Sequence, residues 1–71
     1  MNEEPGTETE FPHAIGKVAK RELAHHGYTR YAELTKVTAK ELLAIHGVGP
    51  KAVRILGEEL KARGQRFKDE A

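Results

Sequence analysis

The chain has 71 residues, lacks cysteine, and carries a formal net charge of +1 at pH 7. This length provides one domain whose core is near the lower size limit for independent folding. The missing cysteines exclude disulfides, zinc sites with thiolate ligands and cysteine nucleophiles, and the missing serines exclude a serine nucleophile. No apolar run approaches membrane-spanning length, and the acidic N-terminus lacks the pattern of a signal peptide. We therefore expect a soluble cytoplasmic protein.

The charge is unevenly distributed along the chain. Residues 1–10 contain four glutamates and no base, whereas the rest of the chain has twelve bases against seven acids. We expect residues 1–10 to be a disordered acidic leader, acting either as a solubilising segment or as an autoinhibitory tail that competes for a basic surface. Residues 11–68 should form the folded domain, and residues 69–71 a short tail. The basic balance of the folded part suits a polyanionic partner.

The first predicted helix runs from His13 to His26. Apolar residues recur in it at helical spacing, and Gly27 is suited to end it as a C-cap. These apolar residues are Ile15, Val18, Ala19 and Leu23. Its polar positions include bases that lie within about one helical turn of one another and can meet adjacent phosphates. These bases are Lys17, Lys20 and Arg21.

The segment from residue 28 to residue 37 is the least regular part of the sequence. It predicts a helix of one or two turns capped by Thr29, with Tyr28 and Leu34 in the core. After it, Thr38 and Glu41 have the spacing of a capping box, which predicts a further helix that continues through Ile45.

Two glycines then separate this helix from the last one, which is predicted from Pro50 to Arg63. Glycine tolerates backbone angles that a Cβ would penalise, and proline suits the first position of a helix. The first amides of the last helix lack intrahelical partners and favour a phosphate, with Lys51 and Arg54 close by. Gly64 should end this helix, and Phe67 should fold back onto the core.

The glycine turn and its apolar flanks resemble the helix-hairpin-helix motif, which in many DNA repair enzymes, polymerases and ligases binds the sugar-phosphate backbone without reading sequence. The residues that carry this resemblance are Leu43, Ile45, Gly47, Val48, Gly49, Pro50, Val53 and Leu56. His46 stands where the motif often has proline, and Val53 where it often has alanine. The alternative without a binding function is a plain helix-turn-helix corner in which the glycines only allow close packing.

The resemblance implies an all-α, compact four- to five-helix domain of the SAM-like or helix-hairpin-helix type. In that family a monovalent cation can bridge hairpin carbonyls to the phosphate. By position, the carbonyls that the resemblance implies here are those of Leu43, Ile45 and Val48.

From about residue 11 to residue 67, the order of elements is similar to the C-terminal domain of the bacterial RNA polymerase alpha subunit. That family binds the minor groove of A/T-rich promoter DNA through its first helix and its hairpin, and it also contacts activators. Its hairpin glycine and the following base fall on Gly49 and Lys51 of this chain. Its groove-inserting arginine falls on Val18, with Lys17 beside it.

Two further positions of that family fall on Arg21, for a polar contact, and on Ala52, for a hairpin serine. The phosphate-binding positions are therefore retained, whereas the groove-reading position is lost. The chain also lacks the assembly domain of the polymerase subunit, so we expect a small standalone relative.

Two classes of function remain open. The first is a DNA-binding module that grips the sugar-phosphate backbone of double-stranded DNA, largely without sequence preference. The second is a protein interaction domain that docks onto a transcription or repair protein through the last helix or the region of Tyr28 and Tyr31. The residues expected to contact DNA are Gly47, Val48, Gly49, Lys51, Arg54, Lys17, Lys20 and Arg21.

Catalysis and metal binding are not expected. The chain has four histidines, but two of them are adjacent in a helix and point in different directions, and no carboxylate lies at ligand spacing with them. We expect a monomer without enzymatic activity and without a metal site.

Overall fold

The computed structural model of the chain describes residues 9–70, so the expected acidic leader lies outside the described residues except for its last two. Within residues 9–70 all regular secondary structure is helical, which confirms an all-α fold. The α-helices are α1 (Lys17–His25), α2 (Tyr31–Leu34), α3 (Ala39–Leu43) and α4 (Pro50–Ala62). Short 3₁₀ turns lie at His13–Ile15 and Lys68–Glu70. None of the helices in this described part is long and apolar enough to cross a membrane.

A single apolar core holds these elements together, and α4 contributes the most residues to it. Within the described residues no polar or charged side chain is buried. Each fully buried leucine contributes about 2 kcal/mol through the apolar area that it removes from water. The core consists of Phe11, Ile15, Ala19, Leu23, Tyr31, Leu34, Val37, Leu42, Ile45, Val48, Ala52, Val53, Leu56, Leu60 and Phe67.

The predicted helix from His13 to His26 is interrupted at Gly16. Gly16 has φ 98° and ψ 149°, a conformation that is open essentially only to glycine, and α1 starts at the next residue. Of the apolar residues that recur at helical spacing, Val18 stays outside the core, with 45% of the residue exposed. The predicted C-cap is confirmed: Gly27 has φ 88°, and the next amide donates to the Leu23 carbonyl at 2.8 Å.

The short helix α2 is capped by an acid rather than by Thr29. The Glu33 carboxylate accepts from the amides of Thr29 and Arg30 at 2.7 and 3.0 Å. These two backbone hydrogen bonds hold the pKa of Glu33 below its ordinary value. The sequence pattern missed this cap because the acid follows the helix start by three residues without a Ser or Thr before it.

Tyr31 belongs to the core and is not available as a docking surface. Its residue is 3% exposed, its ring packs edge-on against Phe11 with centroids 5.1 Å apart, and the Arg63 guanidinium carbon lies 4.1 Å from the ring centroid. Burial raises the pKa of the Tyr31 phenol. Tyr28, which was expected in the core, is only partly buried.

The capping box of α3 is confirmed. The Glu41 amide donates to the Thr38 hydroxyl at 3.0 Å, and the Thr38 amide donates to the Glu41 carboxylate at 2.8 Å. The helix ends at Leu43 rather than at Ile45, because the chain already turns there toward the glycines.

The domain extends slightly beyond the boundaries predicted from the sequence. The Glu10 amide donates to the Thr29 carbonyl at 2.9 Å, and the Glu10 carboxylate accepts from the Tyr31 amide at 2.9 Å. At the other end, Phe67 is buried as predicted, and Asp69 accepts from the Ala39 amide at 3.4 Å. Glu10 and Asp69 therefore belong to the folded part rather than to the leader and the tail.

Candidate functional site

The segment between α3 and α4 forms a tight turn that is closed by backbone hydrogen bonds. The Ile45 amide donates to the Leu42 carbonyl at 3.0 Å, and the Val48 amide donates to the Ile45 carbonyl at 3.1 Å. Gly47 lies inside this turn with φ 91°, which favours glycine. The turn fixes where α4 begins.

Val48 anchors this turn instead of offering a donor to a ligand. Its residue is 4% exposed, so the side chain belongs to the core, and its amide is already bonded to Ile45. Val48 was predicted to contact DNA through its amide, and in the structure that amide is already used inside the turn. Closing the turn requires that hydrogen bond, which leaves the donors to the residues that follow.

Gly49 differs from Gly47 in what it requires. Its φ is −98° and its ψ is 178°, an extended conformation that any residue adopts. A Cβ built on Gly49 would have no neighbour within 4 Å. Of the two residues, only Gly47 has a backbone conformation that requires glycine. The expectation that both glycines adopt angles that a Cβ would penalise is wrong.

The N-terminus of α4 carries amides that have no acceptor. The first intrahelical bond runs from the Val53 amide to the Gly49 carbonyl at 3.1 Å, and no side chain caps the helix. The amides of Gly49, Lys51 and Ala52 consequently donate no hydrogen bond within the described residues. Lys51 is exposed beside them, and so is Arg54 one turn further on.

The start of α1 lies directly against the turn. A Cβ on Gly47 would come to 2.8 Å from Val18 Cγ1 and to 3.1 Å from Glu22 Cγ. Like α4, α1 has no side-chain cap, and its first intrahelical bond is donated by Lys20 to Gly16 at 3.1 Å. The first two turns of α1 therefore pack against the turn that leads into α4, and both helices begin with amides that have no side-chain cap.

The bases of α1 are not equally placed relative to this turn. Val18 and Glu22 mark the side of α1 that contacts Gly47. At 100° per residue, Arg21 is about 60° from Val18, whereas Lys20 is about 160° from both Val18 and Glu22. Arg21 also leans toward this side, since its Nε lies 3.6 Å from the Glu22 carboxylate.

Lys17 is the first residue of α1 and is exposed, so its base stands at the end of the helix that borders the turn. Lys17, Lys20 and Arg21 still lie within about 100° of one another on α1, so their contact with adjacent phosphates stays a prediction, with Arg21 nearest the turn and Lys20 farthest from it.

Glu22 is a member of the site that the sequence did not reveal. Its side chain is 22% exposed and packs against Gly47, so it brings a negative charge to the border of the turn. Arg21 partly balances that charge. No local pattern could have shown this contact, since the two residues are 25 positions apart and meet only through the packing of α1 on the turn.

Two large apolar residues border the same region. Val18 is 45% exposed, and Leu43, at the end of α3 just before the turn, is 44% exposed. Within the described residues these two are the large hydrophobic residues that are exposed rather than buried or partly buried. His46 is also exposed there.

The carbonyls that the family resemblance connects with a cation are partly in use. The Ile45 carbonyl accepts the Val48 amide at 3.1 Å, whereas the carbonyls of Leu43 and Val48 accept no hydrogen bond from within residues 9–70. Among the residues that the structure describes, no three His, Asp or Glu side chains are grouped so that they could hold a metal ion.

Comparison of this chain with protein-family models, with curated proteins and with solved structures finds no match. The function is therefore argued from the geometry of the turn and from the family resemblance of its sequence.

Proposed function

We propose that this domain is of the helix-hairpin-helix type and binds the sugar-phosphate backbone of double-stranded DNA, largely without sequence preference. The observation that carries the proposal is the uncapped start of α4 directly after the glycine turn, beside the exposed Lys51. Backbone amides without an acceptor and the positive end of the α4 dipole favour an anion there.

Gly49 supports the approach of a phosphate to these amides. Neither its backbone angles nor its neighbours require glycine, so the missing side chain has no role in the fold. It does leave open the space in front of the amides of Gly49, Lys51 and Ala52. A ligand backbone can therefore come within hydrogen-bond distance, which is a common use of glycine at phosphate sites.

Three bases surround this opening and supply the long-range attraction. Lys51 and Arg54 extend from the start of α4, and Arg21 lies on the side of α1 that faces the turn. Lys17 adds a fourth charge at the start of α1. Since contacts to phosphates carry no direct information about bases, we expect weak, sequence-tolerant binding that falls steeply with salt.

The proposal includes a monovalent cation at the carbonyls of Leu43, Ile45 and Val48. Two of these three carbonyls accept no hydrogen bond within the described residues, and Ile45 retains a second lone pair beside its bond to Val48. Oxygen ligands suit such a cation, whose charge would offset that of Glu22. Replacing potassium by tetramethylammonium at constant ionic strength should then weaken binding to DNA.

Fluorescence anisotropy of a labelled 16-base-pair duplex, titrated at low and at physiological salt, tests the proposal. The wild type should bind at low salt and lose most of its affinity at physiological salt. Lys51→Glu should abolish binding at both, because it places a negative charge among the unused amides.

Arg30→Glu is the matched control for this variant. Arg30 is also an exposed base, but it flanks α2, so the same reversal of charge should leave most of the affinity. Equal losses in both variants would show that only net charge matters. No binding of the wild type at low salt would refute the DNA proposal.

A protein interaction domain of the transcription or repair machinery is the second candidate, and the exposure of Val18 and Leu43 favours it. Binding to phosphates does not explain why two large apolar side chains next to the turn are exposed to solvent. If the wild type fails to bind DNA, pull-down of purified transcription and repair proteins by the wild type and by Val18→Ser, Leu43→Ser would test this function. Capture that is lost in the double variant would support it.

A further inference from the structure

Basic side chains on the exposed face of α4 extend from the turn toward the C-terminal end of that helix. Arg54 and Lys61 are seven residues apart, so they lie within about 20° of each other on the helix and about 10 Å apart along its axis. Both are exposed. Glu58 lies between them as the single acid on that stripe within α4, and its residue is exposed as well.

Two adjoining hollows lie where this stripe ends. One, of about 420 Å³, is lined by Thr35, Gln65, Arg66, Phe67 and Lys68. The other, of about 480 Å³, is lined by Lys61, Gly64, Gln65 and Arg66. They share Gln65 and Arg66, and the side chains that line them include three bases and no acid. We call these two hollows together the C-terminal basic hollow.

Free carbonyls at the C-terminus of a helix repel an anion, but most of those near the C-terminal basic hollow already accept hydrogen bonds. The Lys61 carbonyl accepts the Gly64 amide at 3.0 Å, and the Leu60 carbonyl accepts the Gln65 amide at 2.8 Å. The Arg63 side chain donates to the Glu59 carbonyl at 2.9 Å. These bonds occupy the carbonyls of Glu59, Leu60 and Lys61, while the Phe67 amide, which borders the hollow, has no acceptor within the described residues.

We propose that the C-terminal basic hollow binds a second phosphate of the same DNA, with Lys61 and Lys68 as the principal contacts. This inference rests on the proposed function. The thirteen residues of α4 span about 20 Å from the turn to the hollow. One strand of a duplex advances about 3.4 Å per phosphate along its axis, so this distance corresponds to about six base steps.

The salt dependence of binding tests this second contact. The logarithm of the affinity for duplex DNA falls with the logarithm of the salt concentration, with a slope of about 0.9 per phosphate contact. Lys61→Gln and Lys68→Gln, each titrated with the 16-base-pair duplex at several salt concentrations, should weaken binding by about three- to fivefold at low salt and reduce the slope by up to about 0.9. Both side chains are exposed, so thermal unfolding should be nearly unchanged.

Arg30→Gln loses one positive charge in the same way and is the matched control, with a slope equal to that of the wild type. If Lys61→Gln and Lys68→Gln keep the wild-type slope while Lys51→Glu abolishes binding, the second contact is refuted and the proposed function stands. If the wild type does not bind the duplex at all, both are refuted. A reduced slope in the two lysine variants alone supports the second contact.

Discussion

The four α-helices of residues 9–70 begin in two different ways. The short helices α2 and α3 have first-turn amides bonded to side chains: the Tyr31 amide donates to the Glu10 carboxylate, and the Glu41 amide donates to the Thr38 hydroxyl. The longer helices α1 and α4 begin at Gly16 and Gly49, and no side chain caps them. Side chains therefore bond to the starts of α2 and α3, whereas the starts of α4, which follows the turn, and of α1, which packs against the turn, have no such cap.

Helix length explains why this arrangement is stable. A helix of four or five residues makes few internal hydrogen bonds and depends on its cap, since helix nucleation is costly. In contrast, α4 buries Ala52, Val53, Leu56 and Leu60 in the core. Packing holds the longer helix, so its first amides are not needed for stability and remain available to a ligand.

Gly47→Ala should have the largest effect and would break the contact between α1 and the turn. It combines a backbone strained at φ 91° with a Cβ at 2.8 Å from Val18 Cγ1. We expect a loss of about 2–4 kcal/mol in the free energy of unfolding, measured by urea denaturation. Gly27→Ala is the control, since Gly27 has φ 88° but no atom near its Cβ, and it should lose only about 1–2 kcal/mol. Equal losses in both variants would contradict the close contact.

Gly49→Asp should give α4 a side-chain cap, and it should weaken DNA binding without lowering the free energy of unfolding. The aspartate accepts from the free amides of α4, so the free energy of unfolding should stay the same or rise by a few tenths of a kcal/mol. Affinity for duplex DNA should fall by at least about tenfold, because the same amides and the same space are then occupied by a negative charge.

Gly49→Ala is the matched control for that change. It leaves the amides free, and its φ of −98° suits alanine. It should stay folded and bind more tightly than Gly49→Asp. Unchanged affinity in Gly49→Asp would remove the start of α4 from the binding site.

Arg21→Gln and Lys20→Gln should differ, which sharpens the comparison within α1. Arg21 lies nearer than Lys20 to the side of α1 that meets the turn, and each substitution removes one positive charge. We expect Arg21→Gln to weaken DNA binding by about three- to fivefold and Lys20→Gln to leave it nearly unchanged, as measured by anisotropy at low salt. An equal effect would mean that α1 acts only through its net charge.

The cap of α2 should show the smallest effect, through its dependence on pH. Two backbone amides lower the pKa of Glu33 in the folded state, so the unfolded state binds more protons as the pH falls below the ordinary value of 4.5. The stabilisation by Glu33 is thus present above that pH and is lost as the pH falls through the lowered pKa. The difference in Tm between wild type and Glu33→Gln should be largest at neutral pH and should shrink below pH 4.5. Glu58→Gln, which removes an exposed acid outside any cap, should show no such trend.

Local patterns predicted the helices well where the signal lay within a few residues. The capping box of Thr38 and Glu41, the glycine stop after α1 and the start of α4 at Pro50 all depend on neighbours in the chain. The burial of Phe67 was also predicted, but its reason was not. A Cβ on Gly57 would come to 3.3 Å from the Phe67 ring, so a glycine in the middle of α4 makes room for that side chain.

The candidate site was predicted less completely, for the same physical reason. Lys17, Lys20 and Arg21 are close in sequence, yet Arg21 lies nearest the side of α1 that meets the turn and Lys20 lies farthest from it. Glu22 was missed because its charge reaches the turn only through packing. Gly47 and Gly49 cannot be told apart from the sequence, but only Gly47 has a positive φ that favours glycine.

The sequence by itself determined an all-α domain, the principal helix starts and stops, and most of the core, because periodicity, capping and glycine conformation act over a few residues. Only the tertiary structure decided which helix starts remain uncapped, which base of α1 lies nearest the turn, and that Glu10 and Asp69 join the fold. Those features arise from contacts between elements far apart in the chain, where the packing of one helix on another sets the direction of every side chain.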